Sequence, residues 1–315
     1  MGGRGFGDFL RWRLERLRSG SVERPPPGSL TPVASRIAEP RTGPGDARLT
    51  WIGHSTFLVQ VGGANLLTDP VWSDRASPVH WAGPRRLVPP GLSFDRLPPL
   101  DGVLLSHDHF DHLDRPTVRR IVERYGAELP WFTPLRYRPW LRAQGVRRVV
   151  ELDWWQSVHH DDGVVRITAL PAQHWTQRSP RTRNFRLWSS FAIEADTGTR
   201  IYFGGDSGWF DGYAGIHQAC GTFDAVVLPI GAYAPRWFMR PHHMTPEEAV
   251  EAWAALGGGG VLVPMHWGTF VLSDEPVLEP PARLEAEWRL RGLPLERLRI
   301  LRHGETLAIT SDGGG

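Results

Sequence analysis

Eleven residues, LLSHDHFDHLD from Leu104 to Asp114, hold three histidines and three aspartates directly after an apolar stretch. Within them His107, His109, Asp111 and His112 spell H-x-H-x-D-H. A tight loop at a strand end can turn alternate side chains inward. His107 and His109, two apart, can then reach one ion, while Asp111 and His112 reach a second. Imidazole nitrogen and carboxylate oxygen at this density suit zinc, with iron or manganese as the alternatives. A solvated turn that happens to be rich in histidine would not explain the clustering after a buried strand.

One loop does not complete a dinuclear centre. Three further candidates each close an apolar strand: His174 ends VVRITALPAQH, Asp206 ends TRIYFGGD and His266 ends VLVPMH. A lone histidine after a strand is more often a satisfied polar residue than a ligand. Three such endings beside H-x-H-x-D-H point instead to convergence on one edge of a sheet sandwich. The predicted chemistry is metal-assisted hydrolysis.

Composition narrows the alternatives. The chain has 315 residues, 41% of them hydrophobic and 22% charged, enough for a substantial core. A formal net charge of +2 gives no sign of a nucleic-acid partner. Cys220 is the single cysteine, which excludes a disulfide framework and a cysteine-based zinc site. No apolar run approaches the ~18–20 residues of a membrane span. The first residues lack the apolar centre and cleavage site of a signal peptide. A cytoplasmic protein is the expectation.

The elements that must position the candidate ligands begin at about Leu49. LTWIGHSTFLVQV and ANLLTD read as two strands joined by a Gly-Gly turn. DGVLLSH is a buried strand that runs into the histidine loop. PTVRRIVERYG reads as a helix, with Val118, Ile121, Val122 and Tyr125 on one face and Gly126 as its stop. Strands are expected around ELPWF and VRRVVEL, then in VVRITALPAQH, WSSFAIEAD, TRIYFGGD, FDAVVLPIG and VLVPMHW. TPEEAVEAWAALGGGG carries a helix start at Thr245, Pro246 at its first position and Glu248 placed for a capping box. PARLEAEWRLRG is a last helix, and LRILRHGETLAIT closes the chain. Strands in groups with occasional helices suit two packed sheets with helices outside. Residues 1–47 stand apart as an extension to a domain over 48–315. In the extension, Phe6, Phe9, Leu10, Leu14 and Leu17 recur at helical spacing among arginines, before a Pro-rich loop. This helix either packs on its own domain or lies on a membrane.

Several blocks resemble a known family. WIGHSTF at 51–57, TDP at 68–70, PAQHW at 171–175, GDSG at 205–208, PIGAYAPRWFM at 229–239, PEEAV at 246–250, HWGTF at 266–270 and LEPP at 278–281 accompany the metal motif. Together they resemble the metallo-β-lactamase fold, and within it the N-acyl phosphatidylethanolamine-hydrolysing phospholipases D and their bacterial relatives. The resemblance runs from about residue 48 to the end. It implies an α/β (α+β) fold, an αββα four-layer sandwich of two mixed sheets flanked by helices. It implies two zinc ions, the first on His107, His109 and His174, the second on Asp111, His112 and His266, with Asp206 bridging. Asp111 would orient the nucleophile or take its proton. The reaction implied is hydrolysis of N-acyl phosphatidylethanolamine or a related glycerophospholipid to phosphatidic acid and an N-acylethanolamine. A lactonase or soluble phosphodiesterase on the same metals is the alternative. Nucleases of this superfamily usually carry an inserted domain, and no room for one is expected in this chain.

Lesser candidates surround this set. His243 would contact substrate phosphate or protonate the leaving group, or simply pack behind the metals. His242 beside it, His54 after a strand and Asp69 behind the site are expected as supporting residues. Arg178, Arg181, Arg183 and Arg186 in TQRSPRTRNFR either attract an anionic headgroup or form a solvated loop. A lipid groove would be lined by Trp72, Trp81, Trp175 or Trp237. His80 lies in a long loop near the expected mouth, and His159 and His160 read as surface residues beside an Asp-Asp-Gly turn. A peripheral place at the inner face of the membrane, and a homodimer, fit this reading.

Overall fold

Apolar residues at alternate positions build two mixed sheets whose inner faces meet. The structure, a computed structural model, describes residues 6–309 except 21, 23, 24, 36, 38 and 161–163. The turn expected at Asp161-Asp162-Gly163 lies outside the described residues. The first sheet takes β1 (Ala47–Gly53), β2 (Thr56–Val61), β3 (Ala64–Thr68), β4 (Gly102–Leu104), β5 (Trp131–Pro134), β6 (Val149–Leu152) and a late strand, β13 (Thr306–Ile309). Their spatial order is β13-β1-β2-β3-β4-β5-β6, antiparallel up to β3 and parallel from β3 to β6. The second takes β7 (Ser157–His159), β8 (Val165–Leu170), β9 (Ser190–Ala195), β10 (Arg200–Phe203), β11 (Ala225–Pro229) and β12 (Val261–Met265). Its order is β12-β11-β10-β9-β8-β7, with β10 to β12 parallel.

Leu49, Trp51, Phe57 and Val59 of the first sheet pack against Ile167, Phe191, Ile193 and Phe203 of the second, all buried. The outer face of the first sheet, through Leu67 and Val103, is covered by α2 (Arg115–Tyr125) and α3 (Arg138–Arg142). The outer face of the second, through Tyr202, Val226 and Leu262, is covered by α4 (Gly212–Cys220), α6 (Pro246–Ala255) and α7 (Glu279–Leu290). The order of layers is therefore helix, sheet, sheet, helix. Parallel strands need crossovers, and these place the C-terminal ends of β4, β10, β11 and β12 where loops can gather.

Some local expectations required correction. The strand expected over 49–61 is two strands, because the chain reverses at His54-Ser55. There Gly53 has φ 145° and His54 φ 56°, values no strand sustains. The short elements α3, β7, α4 and α5 (Arg236–Met239) carried no readable period. The segment of α4, GYAGIHQAC, also holds two glycines, poor helix formers. The last helix starts at Glu279, ahead of PARL, since Pro280 and Pro281 are tolerated in a first turn.

Ahead of the sheets, α1 (Phe6–Ser19) packs through Trp12, which is buried and stacks on Phe238 at 5.3 Å. Of the apolar stripe, expected either to pack on the domain or to lie on a membrane, the Phe6 and Phe9 side chains lie outside the described ones. Leu10, Leu14 and Leu17 are exposed. Among the described residues no helix is long and apolar enough to cross a membrane.

The start of α6 is as the sequence predicts. The Thr245 hydroxyl accepts from the Glu248 N–H at 3.2 Å, and the Glu248 carboxylate accepts from the Thr245 N–H at 2.9 Å. Thr245→Ala removes one of these bonds and should cost about 1 kcal/mol. Urea unfolding of the two proteins, compared at equal m-value, measures the loss.

Candidate metal centre

Each candidate ligand stands just past the end of a buried strand. His107, His109, Asp111 and His112 follow β4, His174 follows β8, Asp206 follows β10 and His266 follows β12. The packing of the two sheets brings these ends together. Two glycines permit the close approach. A side chain at Gly205 would meet the Ser106 Cβ at 2.7 Å, and one at Gly231 would meet the His266 carbonyl at 2.1 Å. His54, Asp69 and His266 adopt positive φ (56°, 34° and 63°), so backbone strain concentrates where the side chains must be aimed.

The seven residues, with His54 as an eighth, form two groups bridged by the Asp206 carboxylate. The donor atoms of His107, His109, His174 and Asp206 lie within 4.8 Å of one another, as do those of His54, Asp111, His112 and His266. In the first group His109 Nδ1 stands 2.9 Å from His107 Nε2 and 3.2 Å from His174 Nε2. Nitrogens around one tetrahedral zinc at ~2.0–2.1 Å stand about 3.3 Å apart, so this convergence fits a single cation. Asp206 Oδ2 lies 3.8 Å from His107 Nε2 and 3.7 Å from His174 Nε2. The same oxygen lies 3.2 Å from His112 Nε2 and 3.1 Å from His266 Nε2 in the second group. Asp111 Oδ2 is 3.6 Å from His112 Nε2 and 3.4 Å from His266 Nε2.

The far nitrogen of several rings is held from behind. His112 Nδ1 donates to Asp69 at 2.7 Å, and His174 Nδ1 donates to the His242 carbonyl at 2.9 Å. Ser106 Oγ donates to Asp69 at 2.5 Å and lies 2.9 Å from His107 Nδ1. His54 Nε2 donates to Asp111 at 2.9 Å. These bonds fix tautomer and ring orientation, as outer partners of metal ligands do. Inside the ring of residues, His112 Nε2, His266 Nε2 and Asp206 Oδ1 are buried without a hydrogen-bond partner. Buried polar atoms are rarely left so. The donor set and its unsatisfied atoms fit divalent cations.

The electrostatics divide the histidines. Burial, with His112 and His174 nearby, holds His107 well below the usual histidine range. Burial does the same to His174, against the pull of Asp206. Burial opposes charge on His112 too, but Asp206, Asp111 and Asp69 outweigh it and hold its pKa well above the usual range. Asp206 and Asp111 likewise overcome burial at His266 and raise it to about 9. Cations entering the site must therefore displace protons from His112 and His266. Metal uptake at pH 7 should release protons. Apparent affinity should climb with pH and still be climbing at pH 9, where about half of His266 keeps its proton. Calorimetric titrations in buffers of different ionisation enthalpy test this, and a buffer-independent heat would contradict it. Asp69→Asn leaves His112 without its carboxylate and should weaken metal affinity about 10–100-fold. Competition with a chromogenic chelator reads that change.

Above the ligands opens a cavity of about 760 Å3. His109, Asp111, Asp206 and His243 contribute its polar floor, and Trp12, Phe110, Trp175, Phe238, Met239 and Leu272 its apolar walls. His243 Nδ1 is 3.9 Å from Asp206, and burial lowers its pKa to about 3, so the ring is neutral. His242 lines the cavity with its ring 5.6 Å from that of Trp175. Of the four tryptophans expected at a groove, Trp175 alone lines it. Trp72 is buried and donates to the Leu92 carbonyl, because its segment turns into the core. Trp81 is exposed elsewhere. Trp237 lies beside the cavity under Arg11, whose guanidinium is 4.5 Å from its ring.

The arginine loop also differs from either expectation. Arg178 turns inward, donates to the Asp108 and Leu113 carbonyls and packs on Phe110 and Trp140. Arg186 pairs with the buried Asp108 carboxylate at 2.8 Å. These two brace the histidine loop from outside, while Arg183 reaches the cavity rim over Trp175. His80 and His159 are exposed outside the cavity, and His160 donates to the Asp101 carbonyl. Sequence reasoning missed Ser106, whose only signal was adjacency to His107. It also missed Arg236, which donates to the His243 carbonyl at 2.8 Å and pairs with Glu248. The aromatic wall from Trp12 and Phe238 spans distant segments and gave no local signal.

Residues 64–267 match the Beta-lactamase superfamily domain. The chain is 41% identical over 245 residues to the N-acyl-phosphatidylethanolamine-hydrolyzing phospholipase D 1 of Caenorhabditis elegans, covering 75% of this chain and 68% of that protein. It is 43% identical over 303 residues to an uncharacterized protein of Mycobacterium tuberculosis, covering 93% and 77%. The solved isothiocyanate hydrolase from Delia radicum gut bacteria superposes with a TM-score of 0.66 at 22% identity, over 84% of this chain and all (100%) of that one, a likeness of fold. The fold, the metal-binding geometry and these relatives together make the chain a metal-dependent hydrolase of the β-lactamase superfamily, belonging with the N-acyl-phosphatidylethanolamine-hydrolyzing phospholipases D.

Proposed function

We propose that this protein is a dinuclear zinc phosphodiesterase that cleaves N-acyl phosphatidylethanolamine, or a closely related glycerophospholipid, on the ethanolamine side. The products are phosphatidic acid and an N-acylethanolamine. The observation that carries the lipid reading is the cavity: apolar walls of Trp12, Phe110, Trp175 and Phe238 stand over a floor of metal-binding residues. An amphiphile with a phosphodiester head and acyl chains matches that division. The 41% identity to the Caenorhabditis elegans phospholipase D supports the same substrate class.

His107, His109 and His174 would hold one ion, Asp111, His112 and His266 the other, and Asp206 both. Two such ions would supply a water acidic enough to attack near neutral pH and would neutralise charge building on the phosphoryl oxygens. Asp111 is buried, yet the nearby His112 and His266 and its hydrogen bond from His54 keep its carboxyl well below the usual range. It therefore enters the reaction ionised, able to orient the attacking water and accept its proton. His243 enters neutral and can donate one hydrogen bond to the phosphoryl group. A bound phosphodiester anion beside it would raise its pKa and let it protonate the departing ethanolamine oxygen. The apolar walls keep bulk water from the reacting phosphorus. In this reading the protein is cytoplasmic and meets its bilayer substrate peripherally, at the inner face of the membrane.

Mass spectrometry of the zinc-loaded protein acting on N-acyl phosphatidylethanolamine tests the reading. N-acylethanolamine should accumulate, and Asp206→Asn should lower the rate by more than about 100-fold, beyond the loss from an outer partner. Turnover of a lactone or a soluble phosphodiester without any N-acylethanolamine would replace the lipid substrate with one of those classes.

A further inference from the structure

The helix that walls the cavity turns an apolar stripe away from it. At 3.6 residues per turn, Leu10, Leu14 and Leu17 fall on one side of α1 and Trp12 on the other. Trp12 fastens the helix: its Nε1 donates to Asp274 at 2.7 Å, and its ring stacks on Phe238. Arg16 pairs with the same Asp274 at 3.3 Å. The leucines have no such seat and are 46%, 55% and 76% exposed. Arg13 and Arg18, both exposed, flank the stripe. The two acidic residues of the helix, Asp8 and Glu15, fall on the Trp12 side, and Glu15 pairs with Arg11. The outward face is therefore leucine bordered by cations alone, the pattern of a helix that lies in a lipid interface. Three leucines fall well short of the ~800 Å2 per partner of a standard protein interface. Phe185, two residues beyond Arg183 of the cavity rim, is a further exposed apolar side chain, at 51%.

We propose that α1 seats this protein on an anionic lipid surface, with Leu10, Leu14 and Leu17 in the lipid and Arg13 and Arg18 at the headgroups. Trp12, on the inner side of the same helix, then holds the cavity at that surface. The purpose of this seat rests on the lipid reading above, but its test does not. The intact protein is sedimented with phosphatidylcholine vesicles and with vesicles in which about a third of the lipid is phosphatidylglycerol. Binding should favour the anionic vesicles and weaken with salt. Leu10→Ser, Leu14→Ser and Leu17→Ser together should lower partitioning at least about tenfold. Arg13→Gln with Arg18→Gln should remove the preference for anionic lipid. Leu290→Ser with Leu295→Ser, at exposed leucines elsewhere, should change nothing. A thermal melt checks that each variant folds. Absence of wild-type binding, or equal binding by the leucine variant, overturns the proposal. So does a dimer, seen by light scattering, that the leucine substitutions dissolve. Vesicle binding as described, without any N-acylethanolamine from the wild type, would overturn the substrate reading alone.

Discussion

Asp206 is the constraint around which this molecule is arranged. Its carboxylate is buried, and one of its oxygens lies within 3.1–3.8 Å of His266, His112, His174 and His107. A buried carboxylate is costly unless charge and hydrogen bonds compensate it. That compensation comes from two sheets: His107 and His112 follow a strand of one, and His174 and His266 follow strands of the other. The distance between the halves of the site is thus set by how the sheets pack. Trp51, Phe57, Phe191 and Phe203, buried between the sheets, act on the site through that spacing.

Around this centre the structure separates aiming from enclosing. Aiming is done by short polar side chains and strained backbone. Asp69 holds Ser106 and His112 together, and His54 holds Asp111. Thr269 accepts from the His54 N–H at 2.8 Å and so pins the turn that carries it. Enclosing is done by side chains from segments far apart in the chain. Trp12 precedes both sheets, Trp175 follows β8, and Phe238 and Met239 belong to α5. Arg236 joins the two tasks, since it anchors the backbone of His243 to α6 within the segment that supplies the wall.

What was legible in the sequence follows the same division. H-x-H-x-D-H and the endings at His174, Asp206 and His266 could be read because a metal-binding pattern is local and strand ends are marked by apolar runs. The two-sheet architecture followed from strand grouping, and the start of α6 from its capping residues. The hairpin at His54-Ser55 was not legible, because a histidine at positive φ is unusual and the residues on both sides favour strands. Which face of α1 turns inward was not legible either. Periodicity marked the leucine stripe without saying what it faces, and the packed side is set by a single tryptophan that found both a ring to stack on and a carboxylate for its N–H. The inward turn of Arg178 and Arg186 was hidden as well. Their partners are backbone carbonyls and Asp108, about seventy residues away in sequence.

Those two arginines fix the loop between them at both ends. Arg178 and Arg186 are tied to the histidine loop, whereas residues 179–185 between them reach the cavity at Pro180 and Arg183. Within it, Thr182 accepts from the Arg178 N–H and Asn184 from the Thr176 N–H, so these two side chains help hold the anchored end. Pro180 and Arg183 are the positions of this stretch at which a relative with the same metal-binding residues could alter what the cavity admits. In a library for altered specificity, these two positions would be varied while Thr182 and Asn184 are kept.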